Sequence, residues 1–233
     1  MIEIKFEESK KRTFKLYKKE RDSRGKSFDN IIDSSSVDLS EVISQQITAI
    51  DGDNDPEMVH FLDNQDPEYR FNIIRIGCTF RTKKDEHFSK AWISVPMHFK
   101  ENPTEKPLVW SLTPENVAED VKAKDSIKIS SELKFLKGEV SHEESTTSKD
   151  FFITSFREGK GSPMWEFEKT NNISINGSYA CYIIIRTKKS DHIKGKVEIK
   201  TVLKEKTYII FNKEKEMEAI PFLEFEIKPI VTN

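Results

Sequence analysis

Ile74-Arg75-Ile76-Gly77-Cys78-Thr79-Phe80-Arg81 sets an apolar side chain at every second residue, with polar or small residues between. An extended chain points successive side chains to opposite faces, so a period of two marks a strand with one buried face. The same alternation recurs outward from this stretch. Ala91, Ile93, Val95, Met97 and Phe99 form one such face, as do Ile127, Ile129, Leu133 and Phe135. Cys181, Ile183 and Ile185 form another, followed by Val197, Ile199 and Leu203, and then by Leu223, Phe225 and Ile227. Roughly a dozen strands result, with few helical patterns among them. The fold class predicted is all-β: a mainly antiparallel β-sandwich, either jelly-roll-like or two sandwiches in tandem, with one or two short helices.

Helices are expected at two places. Asp38-Leu39-Ser40-Glu41 has the spacing of a capping box, and Leu39, Val42, Ile43, Ile47 and Ile50 follow at helical spacing, which predicts a helix over 38–49. A weaker pattern runs from Pro114 through Val117 and Val121. Asn176-Gly177 reads as a hairpin turn between 165–175 and 178–185, because that turn needs two residues tolerant of positive φ. Pro96 on the 91–99 strand suggests a sheet edge, since proline cannot donate to a ladder.

Residues 81–88 and 186–193 run in parallel: Arg81-Thr82-Lys83-Lys84-Asp85-Glu86-His87-Phe88 beside Arg186-Thr187-Lys188-Lys189-Ser190-Asp191-His192-Ile193. With Ser89 unmatched, Lys90–Glu101 then aligns with Lys194–Glu205, and 8 of 20 positions are identical. The inward-facing positions stay in phase on both sides of the match, where a one-residue slip would invert them all. The pattern reads as an internal repeat: strand, basic loop, strand. It divides the chain into 1–36, charged N-terminal strands and loop; 37–125, a first β-rich half; and 126–233, a second, the whole being compatible with one continuous domain.

The candidate site is this pair of loops. Arg81, Lys83, Lys84 and His87, with Arg186, Lys188, Lys189 and His192, offer planar forks, mobile point charges and a titratable ring to an anion or a partner. Charged tips are otherwise simply solvated. Ten Lys/Arg against five Asp/Glu in residues 1–26 give a basic segment, read as a charged edge hairpin or as an arm for a polyanion such as nucleic acid.

Other chemistry is weakly signalled. Asp51-Gly52-Asp53-Asn54-Asp55 opens like a calcium loop, but Pro56 and Leu62 stand where Gly and Glu are needed, so 51–68 reads as an acidic loop and no metal is expected. Gly159-Lys160-Gly161-Ser162 lacks the spacing of a nucleotide loop and reads as a hairpin tip. Cys78 and Cys181 lie on apolar faces and behave there as small hydrophobes. His60 reads as a packed histidine, and Trp92 and Trp110 as either contact-surface or covered residues. No catalytic triad, His-Glu-x-x-His pair or cofactor motif is present, and no cofactor is expected.

No apolar run approaches the length of a membrane span, and charges occupy the opening residues where a signal peptide is apolar. Together these give the expectation of a cytoplasmic, non-catalytic binding or interaction module in a multi-protein assembly, with a protein partner or self-association. The alternatives are a coat or shell subunit with a basic N-terminal arm, a polyanion-binding protein, and an enzyme with an unrecognised site.

Overall fold

A computed structural model describes residues 2–5, 11–21, 27–48, 56–115, 117, 126–129, 152–157, 162–205, 213–219 and 223–230. Among them run fifteen strands and one helix: β1 Ile2–Lys5, β2 Lys11–Arg21, β3 Ser27–Ser40, β4 Ile43–Ile47, α1 Pro56–Asp63, β5 Tyr69–Arg81, β6 Glu86–Ser94, β7 Met97–Phe99 and β8 Leu108–Thr113. The remainder are β9 Ser126–Ile129, β10 Ile153–Arg157, β11 Pro163–Glu168, β12 Gly177–Lys188, β13 Ile193–Glu205, β14 Lys213–Ala219 and β15 Leu223–Ile227. All ladders are antiparallel, and the expected sandwich is present as two packed layers.

The first layer sets β3 and β4 beside β5, then β12, then β8. The second runs β10, β11, β6, β13, with β7 and β15 also on β13, and then β14. β2 pairs with both β14 and β3, carrying the ladder from one layer to the other. The alternating positions read from the sequence face each other between the layers: Ile74, Ile76, Cys78 and Phe80 with Cys181, Ile183 and Ile185 from one side, and Ala91, Ile93, Val197 and Ile199 from the other. Phe80, Phe152, Phe167 and Tyr179 stack at 5.3–6.2 Å between centroids to fill one end of that space.

The outer face of the first layer is covered as well. Phe71, Ile73, Tyr182 and Ile184 point away from the main core and pack with Ile47, under Phe61 and Leu62 of α1 and beside Trp110. Phe71 and Trp110 meet edge to face at 5.4 Å. Trp110 is therefore a covered residue. β5 and β12, clothed on both faces, read as nearly continuous apolar runs where they cross (Ile73-Ile74, Ile183-Ile184-Ile185).

Several local expectations are corrected. Residues 38–49 are not a helix: they end β3 and form β4, which lies along β5. Asp38, the cap in that reading, accepts from Arg81 Nε instead, and Ser40 Oγ accepts from Gly77 N at 2.9 Å and donates to Gly77 O at 3.1 Å. A Cβ at Gly77 would strike that hydroxyl, so the pair is a mutual fit across the ladder. Tertiary pairing with β5 won over local helical spacing. The one described helix instead lies at Pro56–Asp63, inside the stretch read as an acidic loop, with proline at its first position.

Asn176-Gly177 does not turn a hairpin. The strand before it, β11, pairs with β10 and β6, whereas β12 starts at Gly177 and pairs with β5 and β8, so this segment crosses between layers. Gly177 does have the positive φ (113°) that the reading required. The N-terminal strands are not a hairpin with each other: β1 pairs with β9, and β2 with β3 and β14. Pro96 lies past the end of β6, which has partners on both sides, and just before β7, which pairs only with β13 among the described residues, so the proline does stand beside an edge strand; its carbonyl accepts from Lys196 N at 3.2 Å. His60 is exposed, beside Asn64. The 51–55 loop, most of the second helical pattern and most of the Gly159–Ser162 tip lie outside the described residues.

Candidate functional site

Each basic loop joins two successive strands. β5 leads through 82–85 into β6, and β12 leads through 189–192 into β13; β12 pairs with β5, and β13 with β6. In these ladders Ile76 lies opposite Cys181, and Ser94 opposite Glu198. Because the strands are antiparallel, the loops point to opposite ends of the sandwich. Phe80, beside the first loop, pairs with Gly177; Lys188, beside the second, lies eleven residues further along β12. At about 3.3 Å per residue that separates the two loops by roughly 36 Å. The eight basic and histidine positions do not converge.

At the first end, Arg81 Nε donates to Asp38 Oδ2 at 2.7 Å, the carboxylate nearly buried and the arginine largely exposed. Ser35 braces the turn: its N and Oγ both donate to Glu86 Oε2, at 2.9 and 2.7 Å, and Lys83 N donates to Ser35 Oγ at 3.0 Å. Asp85 takes a positive φ of 69° to close it. Lys84 is exposed, and His87 sits on β6 opposite Lys204. The loop is a braced turn with its charges facing outward.

At the second end Arg186 and Lys188 line a cleft of about 650 Å³ between the β12–β13 turn and residues 100–107. Arg186 lies over the Tyr69 ring, 4.1 Å from its centroid, a cation–π contact that holds the guanidinium at the cleft wall. Lys188 N donates to Asp191 Oδ2 at 2.7 Å, and buried Arg70 donates through Nη2 to Asp191 O at 3.0 Å and Lys228 O at 2.8 Å, fixing the turn. Burial pushes the Arg70 guanidinium pKa down while Asp191 pulls it back up. Lys189 is held by its backbone, donating to Glu68 O at 2.7 Å. His192 faces away from the cleft toward Glu226, Nε2 to Oε2 3.1 Å, and Lys194 Nζ reaches the same carboxylate at 3.3 Å. The hydrogen bond from His192, then that from Lys194, holds the Glu226 carboxyl below its ordinary pKa.

Thus Arg186 and Lys188 line the cleft, Lys189 and His192 do not, and the four residues of the first loop lie at the other end. Sequence reasoning passed over Tyr69, Thr187 and the 100–107 segment. Thr187 sat in view between two bases, but it is buried on β12, opposite Arg70 of β5. No group of three or more His, Cys, Asp or Glu among the described residues is placed to hold a metal ion.

No protein-family model and no curated protein matches the chain. Among solved structures it is similar to the Clostridium perfringens NetB toxin in its membrane-inserted form (8% identity, 93% of this chain and 94% of that one, TM-score 0.36). It is also similar to a structure described as a pore forming protein (10%, 90% and 94%, 0.36) and to the Clostridium perfringens delta-toxin (7%, 93% and 88%, 0.30). Two expectations are corrected by these neighbours. These neighbours are described as toxins and a pore forming protein, not as intracellular binding modules of the cytoplasm, and both readings are dropped. At such TM-scores the likeness supplies no assignment in their place. No helix among the described residues is long and apolar enough to cross a membrane.

Proposed function

We propose that the protein is a self-associating subunit whose copies join along the side of the sandwich where β8 and β10 end the two layers. One observation carries the reading: Leu108 and Phe156, the large apolar side chains left exposed among the described residues at 42% and 39%, both lie on these terminal strands. An outer strand presents unpaired N–H and C=O groups, as β10 does beyond Ile153, which itself bonds Val117; proteins that stay monomeric guard such edges with lysine, proline or bulges, and β8 has a bulge where it passes Ile184 and Ile185 but no charge. This chain is 33% charged, yet β8 (Leu-Val-Trp-Ser-Leu-Thr) carries no charge and β10 carries only Arg157. Lysine is plentiful on the interior strand β13 and missing where it would block pairing. Strand addition by a second copy satisfies the backbone and covers both apolar side chains at once.

Mass measurement by light scattering at tens of micromolar tests this. The expected species is larger than the 27.1 kDa chain, and Phe156→Lys or Ser111→Lys weakens association about tenfold or more while leaving the melting temperature unchanged. A wild-type chain that stays monomeric at that concentration sinks the proposal.

The ribbons β5–β6 and β12–β13 are read as a duplicated unit within one continuous domain. Support comes from the register: aligned residues Ile76 and Cys181 are cross-strand partners, and so are Ser94 and Glu198, as a local twofold axis through both ladders requires.

A further inference from the structure

We infer that the strand receiving β8 is β4 of the next copy, so that the copies join head to tail. The inference rests on the self-association proposed above and adds to it the edge that takes up β8.

Composition singles out this pair. β4 (Ile-Ser-Gln-Gln-Ile) and β8 are the two described strands with no charged or titratable side chain. They are also the two flanks of one sheet segment. β4 pairs with β5, β5 with β12 and β12 with β8, and among the described residues neither β4 nor β8 has a second ladder. In a chain that is 33% charged, both flanks of the same four strands lack the lysine or glutamate that keeps a foreign strand away.

The register makes the two flanks complementary. Ile43, Arg75, Tyr182 and Thr113 stand in one row across the four strands, and Ile47, Phe71, Arg186 and Leu108 stand in another. The flanks therefore lie level and span the same rows. Three antiparallel ladders separate them, so β4 and β8 run in opposite directions. A copy laid beside the first in the same orientation brings its β4 antiparallel to β8, the pairing used by every ladder of this chain. Continued without a shift, the rows bring Leu108 of one copy to Ile47 of the next, at the border of the apolar strip under α1. Pairing β8 with β8 about a twofold axis uses one flank twice and leaves β4 bare. Head-to-tail pairing uses both flanks, and it closes a ring or runs on as a chain instead of stopping at two copies.

Mixing two blocked variants of the full chain tests this. Ser111→Lys blocks β8, and Ser44→Lys, at an exposed position, blocks β4. By sedimentation velocity at tens of micromolar, the wild type is expected to exceed the mass of two chains. Each variant alone is expected to associate about tenfold more weakly or worse, with its melting temperature unchanged. An equimolar mixture is expected to recover the wild-type affinity and to stop at two chains, because each partner supplies one open flank and one blocked flank. Gln46→Lys serves as a second block of β4 if Ser44→Lys lowers the melting temperature. A wild type that stops at two chains, β4 variants that associate as the wild type does, or a mixture that stays monomeric overturns head-to-tail pairing and leaves self-association at β8 standing. A monomeric wild type sinks both.

Discussion

Cys78 and Cys181 show what burial alone does to a reactive group. They are 2% and 0% exposed on neighbouring strands of one layer, and burial pushes both thiol pKa values up, Cys181 further because Cys78 is near. A thiol that stays protonated is a poor nucleophile, so both are expected to react with a thiol reagent at the rate of global unfolding and no faster. The same shift fixes a pH dependence. With the folded pKa raised above the unfolded one, stability is complete below about pH 8.5 and falls as pH climbs, because the unfolded chain releases these protons first. The limiting slope is about 1.4 kcal/mol per pH unit for each thiol. Urea midpoints at pH 7 and pH 10 are expected to differ more for the wild type than for a Cys78→Val/Cys181→Val chain. Equal differences would show that the thiols contribute nothing. At this scale the sequence was legible: each cysteine sat on an apolar alternation, and its inertness followed. Thr187 was not legible, since a threonine between Arg186 and Lys188 has the same appearance whether wet or buried.

Strands announced themselves and their partners did not. Ile74–Phe80 and Cys181–Ile185 have the period of two because a pleated chain buries alternate side chains, and that signal needs only the residue order. Pairing is non-local. Nothing near Asn176-Gly177 reveals that β11 and β12 belong to different layers, and nothing in Leu39–Ile50 reveals that β5 waits alongside to recruit residues 43–47 as a strand. The register that results can be tested with an engineered bridge. Ser94 and Glu198 are directly opposed, their side chains meeting at 3.4 Å, so a Ser94→Cys/Glu198→Cys chain is expected to oxidise to an intramolecular disulfide without loss of fold. Ser94→Cys/Lys200→Cys places the pair on the diagonal, where the reach is about 7 Å or more, and is expected to stay reduced. Bridging in the second chain and not the first would move the register and remove the support it lends to the proposed duplication.

Charge is distributed over the whole molecule in a way that separates two kinds of association. The lysine-rich turns sit at opposite ends, each braced or balanced by carboxylates, while β8, uncharged, and β10, charged only at Arg157, lie along the side between those ends. Attraction through the turns would be screened within about 8–10 Å in ordinary buffers and would weaken steeply with salt. Pairing along β8 and β10 relies on backbone hydrogen bonds and on burial of Leu108 and Phe156, neither of which salt screens. The association constant of the wild type is therefore expected to change by less than about threefold between low and high sodium chloride, measured by sedimentation equilibrium across that range. An association that fell steeply as salt rose would place the contact at the basic turns, where Arg81, Lys84 and Lys189 stand, and would leave the β8 and β10 side of the sandwich without a role.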